Sequence, residues 1–483
     1  MGIMSALEGR PRKKRSSFAA AESSRLTASL ANETEFINRS LRYELRTLRA
    51  RSRQASQNNP YAKRFFQMVV DNVCGHTPFK LQAKIKFNSG KLDTATNKRI
   101  EDAWRSWSRK GQCEITSRMS WGALQRLVVR TLAVDGEVLL RKYYGEGKHG
   151  YQLQLIDIDR LDEQKNESFP DGSAINMGIQ MDAMSRPVAY HLLKRKPATW
   201  EQGYTREYDV IPADEIIHIY ISDFAEQVRG IPWVYAALLN LVHLGAFEEA
   251  AVIAARVGAS QMGIITSPDG GAQYEGDDRD EDDNPVIEAE PGTFPVLPPG
   301  YDIGGWNPKY PDAAIEPFVK NCLRGVSAGM GVAYHNLANN LEGVNYSSAR
   351  VGELSERDSW KVLQTNLTEH FHDGVYDDWL KMQILKRILP FDMSRIDKYK
   401  EILWQPRRWQ WVDPKKETES NIAQINARIK SRTKVAAEQG DDIEDIFDDL
   451  AQEEQLASDK GLTLITEESP KQEKPDEESD EQD

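Results

Sequence analysis

Beyond Gly230 the chain changes character: Pro232 stands near a helix start, and more than twenty residues rich in Ala and Leu follow it. Ala236, Ala237, Ala246, Ala250, Ala251, Ala254 and Ala255 carry side chains small enough for neighbouring helices to approach closely. A packed ring of such helices needs that property. The rest of the fold has to accommodate this rod.

At 483 residues the chain exceeds the roughly 100 to 200 residues of one domain, so two or more packed units are expected. With 40% hydrophobic residues and 11 Trp it can bury a real core. No run approaches the ~18 consecutive apolar residues of a membrane span, so a soluble protein with no membrane partner is expected. The N-terminus is basic but lacks the apolar core and cleavage site of a secretory signal. Cys74, Cys113 and Cys322 lie far apart with no CxxC pair, which predicts buried, reduced thiols in a reducing cytoplasm.

The net charge of -13 is unevenly spread: residues 1–64 carry roughly +9 and residues 438–483 roughly -16. Arg12, Lys13, Lys14 and Arg15 form a run able to bind nucleic acid, although a solvated arm is the simpler reading. Arg39, Arg42, Arg46, Arg49 and Arg53 recur at helical steps, a stripe suited to a polyanion or an acidic partner. The Asp- and Glu-rich tail reads as disordered.

After Asn58, Asn59 and Pro60 an apolar helix runs through Phe65, Phe66, Met68, Val69 and Val70. Phe79, Leu81, Ala83, Ile85 and Phe87 alternate at period two and predict a strand. Two helices follow, one with Ile100, Trp104 and Trp107 on one face, the other capped by Ser120 and aligning Leu124, Leu127, Val128 and Leu132. Strand-like runs at 137–144, 151–158, 178–182, 188–193 and 215–221 predict an antiparallel meander with helices on one side, an α+β fold. Short strands and loops are expected over 261–311, helix from Ala313 to about Ala328, and a loop rich in Asn and Gly from Asn336 to Tyr346. A long helix follows with Trp360, Leu363, Leu367 and Phe371 as its stripe, and a final helix is expected over about 417–432.

Catalytic patterns fail on inspection. GVSAG at 325–329 matches a nucleophile elbow around Ser327, but that motif needs a strand before the turn, and Ile315, Phe318, Val319 and Cys322 predict a helix. The acidic run Asp277, Asp278, Asp280, Glu281, Asp282 and Asp283 lacks the Gly and Glu that an EF-hand loop requires, which leaves a solvated loop or a contact for a basic partner. No Walker A sequence and no HExxH occur, and His370 and His372 fall on different helix faces, so neither metal nor cofactor is expected. Two other readings stay open: a nuclease using the Asp and Glu clusters, and a scaffold or adaptor without a channel.

Five segments in fixed order resemble the lambda-type portal (head-tail connector) family of tailed bacteriophages. They are NNPYAKRFFQMVVDNVCG (58–75), AWRSWSRKGQCEITSRMSWGALQRLVVRTLAVDGEVLL (103–140), RPVAYHLLKRKP (186–197), PADEIIHIYISDFAEQVRGIPWVYAALLNLVHLGAFEEAAVIAARVGAS (212–260) and CLRGVSAGMGVAYHNLANNLEGVNYSSAR (322–350). Each is a packing pattern, and their order carries the specificity. The resemblance implies a non-enzymatic subunit of a homo-oligomeric ring, usually of twelve, at one capsid vertex of the virion, assembled in the bacterial cytoplasm. It implies a basic arm at 1–57, partly disordered, an α/β wing with an antiparallel sheet at 58–230, and a first stem helix at 231–260. A small β clip follows at 261–311, a second stem helix at 312–335 and a tunnel loop at 336–346. The long helix and wing return occupy 347–413, a helical crown 414–450 and an acidic disordered tail 451–483. The implied partners are duplex DNA, the terminase large subunit, a head-tail adaptor, the major capsid protein and the scaffold.

A channel that DNA slides through should hold it weakly, because each fixed Lys or Arg on a phosphate adds affinity through counterion release. Asn336, Asn339, Asn340, Glu342 and Asn345 form a loop free of Lys and Arg, and Lys320 and Arg324 could supply a limited attractive ring.

Overall fold

In the computed structural model the described residues are 25, 34–76, 79–196, 203–259, 264–266, 302–304, 315–342, 346–409, 414–439 and 442–462. Asp277, Asp278, Asp280, Glu281, Asp282, Asp283, Asn345 and the run Arg12–Arg15 lie outside them.

Helix α1 (Ile37–Asn58) leads directly into α2 (Pro60–Val73), which turns on Asn59. The Asn59 side chain accepts from the amides of Tyr61 and Ala62, and Pro60 occupies a position whose missing N–H costs nothing. Phe65, Phe66 and Val69 of α2 are buried. Strand β1 (Lys80–Ala83) is shorter than the alternation predicts. Ile85 is buried, but Phe87 is half exposed, and the strand pairs with β12 (Ile402–Gln405) far along the chain instead of starting the main sheet.

Helices α3 (Thr94–Trp107) and α4 (Trp121–Asp135) begin on Asp93 and on Ser120, whose side chains accept from the amides of Thr96 and Ala123. They bring Trp104 and Trp107 into one aromatic core. The Trp104 ring meets Trp107 at 4.7 Å and stands edge-on to Trp379 at 4.9 Å, an arrangement that ring quadrupoles favour.

Strands β2 (Glu137–Tyr144), β3 (Tyr151–Ile156), β4 (Glu167–Ser168), β5 (Ala174–Asn176), β6 (Ile179–Met181), β7 (Pro187–Arg195), β8 (Tyr204–Pro212) and β9 (Ile216–Tyr220) form two antiparallel sheets. The smaller has the order β3-β2-β9 and the larger β4-β5-β6-β7-β8, so the single meander expected from the sequence is split in two. The split comes from β9, which returns past the larger sheet to lie beside β2, pairing His218 with Leu139.

The first long rod is α5 (Leu238–Ala259); β10 (Ile264–Thr266) and β11 (Asp302–Gly304) pair antiparallel beyond it. Helix α6 (Ile315–Met330) comes back and ends at Gly331, whose positive φ of 68° suits glycine. A short α7 (Tyr334–Ala338) takes up the start of what the sequence presents as a loop. Helix α8 (Tyr346–Leu367) continues through a π-helical turn (Thr368–His372) into α9 (Asp373–Leu385), burying Trp360, Leu367 and Phe371 as the stripe predicts.

The single helix expected over 417–432 is corrected to three: α10 (Pro414–Asn426), α11 (Arg432–Gln439) and α12 (Ile443–Asp459). Helix α12 also corrects the reading of disorder over 451–459, because Ile443, Ile446, Phe447 and Leu450 give helical apolar spacing inside an acidic composition.

Candidate channel and assembly surfaces

The rod α5 is joined to the sheets by a backbone crossing that two glycines make possible. Gly136 ends α4 with φ at 84°, and a Cβ there would stand 2.2 Å from the carbonyl carbon of Ile231. A Cβ on Gly230 would stand 2.1 Å from the Gly136 oxygen. No side chain fits either place.

Next to this crossing Glu137 is fully buried at the head of β2. Its carboxylate accepts from Arg229 Nε and Nη2 at 2.8 Å, from Arg49 Nη1 at 3.1 Å, from His218 Nε2 at 3.0 Å and from the Gly230 amide at 3.2 Å. Burial alone would raise the Glu137 carboxyl, but Arg229 and His218 hold it well below the usual carboxylate range. Arg229 also donates from Nη1 to the carbonyl of Met177 at 2.8 Å. Arg49 pairs further with Glu163 and, at 3.1 Å, with Asp159. Arg53, one turn on, pairs with Asp135 at 2.7 Å and Asp159 at 2.6 Å.

Three members of the arginine stripe therefore find an acidic partner within the chain, Arg49 and Arg53 in the body and Arg39 at the surface with Glu35 at 3.4 Å. Arg49 is buried and is not available to a polyanion, while Arg39 and Arg46 are exposed. A missed signal was present in the sequence: Glu137 follows a helix-ending Gly136, where a lone acid entering an apolar strand demands burial with a partner.

The two long helices of the rod touch through Phe247 and Phe318, whose ring centroids lie 4.8 Å apart. Near the end of α6 Gly329 lets that helix approach Ala237, where an added Cβ would stand 3.5 Å from the Ala237 Cβ. Leu238, Leu241 and Leu244 are buried, but other apolar positions of α5 are uncovered: Leu239 is 68% exposed and Val242 63%. Over Leu238–Arg256 only 17% of a window long and apolar enough to cross a membrane is buried. Lys320 is half-buried on α6 and Arg324 is exposed, with its guanidinium carbon 5.8 Å from the Tyr334 ring centroid. Ser327 is buried inside α6, and its hydroxyl donates to the Leu323 carbonyl at 2.8 Å, so it sits on no strand-to-helix elbow.

At the loop, Asn336 belongs to α7 and is tied down. Its Nδ2 donates to Glu356 Oε2 at 2.9 Å, and that same oxygen accepts from the Ala333 amide at 2.9 Å. Arg64 of α2 reaches the Asn336 carbonyl at 3.5 Å. Nearby, Tyr61 Oη donates to Glu248 Oε1 of α5 at 2.8 Å, and burial together with this bond pushes the phenol up to about 12. Asn339 is exposed with φ at 51°, Asn340 accepts from the Glu342 amide at 2.8 Å, and Glu342 is exposed. Glu356 and Arg64 escaped the sequence reading because nothing in their local pattern marks a contact hundreds or tens of residues away.

Cys74 and Cys113 are buried, and burial pushes each thiol up to about 12. Cys322 is only half-buried, short of the expectation. His372 is fully buried against Phe79, His370 is exposed, and among the described residues no cluster of His, Cys, Asp or Glu is placed to hold a metal ion.

The chain is an α+β body with buried polar ties and a pair of long helices, of which α5 leaves much of its apolar surface uncovered. Residues 23–364 match the family described as phage portal protein, lambda family. The "Probable portal protein" of Halomonas phage phiHAP-1 is 32% identical over 412 residues, covering 84% of this chain and 80% of the relative. Portal protein B of Escherichia phage lambda is 20% identical over 439 residues, covering 82% and 81%. Among solved structures, the neck of the native GTA particle computed with C12 symmetry covers 81% of this chain and 91% of that one, at 14% identity and a TM-score of 0.48. The chain belongs to the lambda family of phage portal proteins. Its function is that of a portal protein of the phage head, and the family is structural, not enzymatic.

Proposed function

We propose that copies of this chain, usually twelve, close into a ring at one vertex of the capsid, after assembly in the bacterial cytoplasm, with α5 and α6 lining a channel for DNA. The observation that carries this reading is the uncovered length of α5. Leu239, Val242, Val252 and Ile253 are each more than half exposed, a cost that contact with identical rods removes. The small Ala246 and Ala250 are exposed alongside them and allow close approach. A bilayer is the poorer cover, because Glu248 and Glu249 fall in the middle of the same helix.

Within the channel, Asn339, Asn340, Glu342 and Asn345 form a tunnel loop that carries no fixed cation, so DNA passes without being held. Asn336 serves as its root, and Lys320 and Arg324 supply a modest attractive ring. The segment 261–311, with Asp277, Asp278, Asp280, Glu281, Asp282 and Asp283, is the clip that offers an acidic contact to the terminase large subunit and later to the head-tail adaptor. The body contacts the major capsid protein and the scaffold, residues 414–450 form the crown, and no residue acts catalytically.

Native mass spectrometry of Val242→Asp and Ile253→Asp chains tests this. Folded single chains beside a wild-type ring are expected; rings of undiminished abundance from both variants would overturn the reading.

A further inference from the structure

We propose that Glu356 is the positioning residue of the candidate tunnel loop, a buried carboxylate on α8 that fixes where the loop leaves the body. The inference rests on the reading of 336–346 as the tunnel loop.

Glu356 is only 8% exposed, and among the described residues no Lys, Arg or His nitrogen stands within salt-bridge distance of it. Three neutral donors converge on it instead. Oε2 accepts from the Ala333 amide and from Asn336 Nδ2, both at 2.9 Å, and Oε1 accepts from Trp360 Nε1 at 3.2 Å. Trp360 is itself buried one turn further along α8, so the carboxylate is held at a fixed place on a rigid helix.

The two Oε2 donors sit at the start of α7 and one turn into it. Ala333 is the N-cap residue, and its own side chain cannot cap. Glu356 therefore stands close to that helix start and supplies an acceptor that the local sequence lacks. At the other end of α7, Asn339 adopts φ of 51° and the Asn340 amide donates to the His335 carbonyl at 3.2 Å, turning the chain outward to Leu341 and Glu342. A short helix of five residues has little stability of its own. Its orientation, and with it the exit direction of the loop, depends on the anchor from α8.

Only a carboxylate fits this donor set. An amide at 356 presents one oxygen and one NH2, so either the Ala333 amide and Asn336 Nδ2 or Trp360 Nε1 would face a donor.

The test compares assembled rings of wild type, Glu356→Ala and Asn336→Ala by hydrogen exchange over peptides spanning 331–342, with peptides of α5 and α6 as internal controls. Glu356→Ala removes both acceptor oxygens, whereas a Gln could turn its one oxygen toward Ala333, and it is expected to raise exchange at the Ala333 amide roughly tenfold, the scale of losing one hydrogen bond to a charged group. Asn336→Ala, which deletes one donor and leaves the carboxylate in place, is expected to raise it less and remains informative if the first variant fails to fold. Unchanged exchange in a folded variant would overturn the positioning role. DNA content per particle is measured on the same variants: loosened exchange with normal DNA content would leave the clamp standing and sink the tunnel-loop assignment instead.

Discussion

Arg229 lies flat against Glu137 with Nε 2.8 Å from one carboxylate oxygen and Nη2 2.8 Å from the other, and both side chains are wholly buried. This pair sits where the sheets hand over to the long rod, and Arg49 from α1 shares one of the two carboxylate oxygens with Arg229. Removing Arg229 strips the buried Glu137 of its two-pronged partner and leaves it only Arg49, His218 and the Gly230 amide. Arg229→Ala is expected to destabilise the body by ~3–5 kcal/mol, read from the denaturant midpoint followed by tryptophan fluorescence. A shift below ~1 kcal/mol would mean that the pair is dispensable.

The same burial makes the protein acid-sensitive. Burial pushes the His372 imidazole down to about 3 from its ordinary 6.5, so the unfolded chain binds this proton over a range where the folded chain does not. Stability is therefore complete above pH 6.5 and falls toward pH 3, at about 1.4 kcal/mol per pH unit from this one group. Glu137 is held below its ordinary 4.5, so its contribution is present above that value and is lost as pH falls further. His372→Phe, which keeps an aromatic ring beside Phe79 at its 4.3 Å stacking distance, is expected to flatten the upper part of the slope. An unchanged slope between pH 6.5 and 5 in that variant would assign the acid sensitivity elsewhere.

Gly230→Ala places a methyl group 2.1 Å from a backbone oxygen, not from a side chain that could swing away. Insoluble or unassembled protein is expected, with a cost above the ~1–3 kcal/mol typical of overpacking. Gly325→Ala, with nothing within 4 Å of the added carbon, is the matched control and should assemble normally. Equal yields of ring from both would show that the crossing can relax.

Shortening 338–344 is expected to permit ring assembly and to impair packaging or retention of DNA. Packaged DNA per particle is the measurement, and normal content would remove the loop from the mechanism. Ser327→Ala is expected to change neither assembly nor packaging, since its hydroxyl only back-bonds to Leu323 within α6. Intact rings that fail to package in this variant would reopen a chemical role for the serine.

Thiol alkylation of the folded chain should modify Cys322 first and leave Cys74 and Cys113 unmodified until denaturant is added. The half-buried position of the first and the burial of the other two set that order. Labelling of Cys74 at the rate of Cys322 would contradict the packing of α2.

Much of the fold is legible in the sequence wherever one period dominates. The Ser120 cap, the stripe from Trp360 to Phe371 and the strand over 137–144 all declare themselves locally, and each is found. Strand β8 was not anticipated, because an edge strand exposed along much of its length, reading TREYD, carries no clear alternation. The partner of β1 lies more than three hundred residues away, a distance over which composition is silent. For the candidate site, the loop free of Lys and Arg is visible as a segment rich in Asn, but its anchor is not. Glu356 sits on a helix among other acids, and only the converging donors from Ala333, Asn336 and Trp360 distinguish it.

The central claim is that the uncovered face of α5 is covered by copies of the same chain around an open axis. Electron-microscopic imaging of the purified wild-type protein tests it most directly. Closed rings with a lumen wide enough for a DNA duplex are expected, with the α5–α6 rods at its wall. Single chains that persist at high concentration, or closed bundles with no lumen, would contradict it.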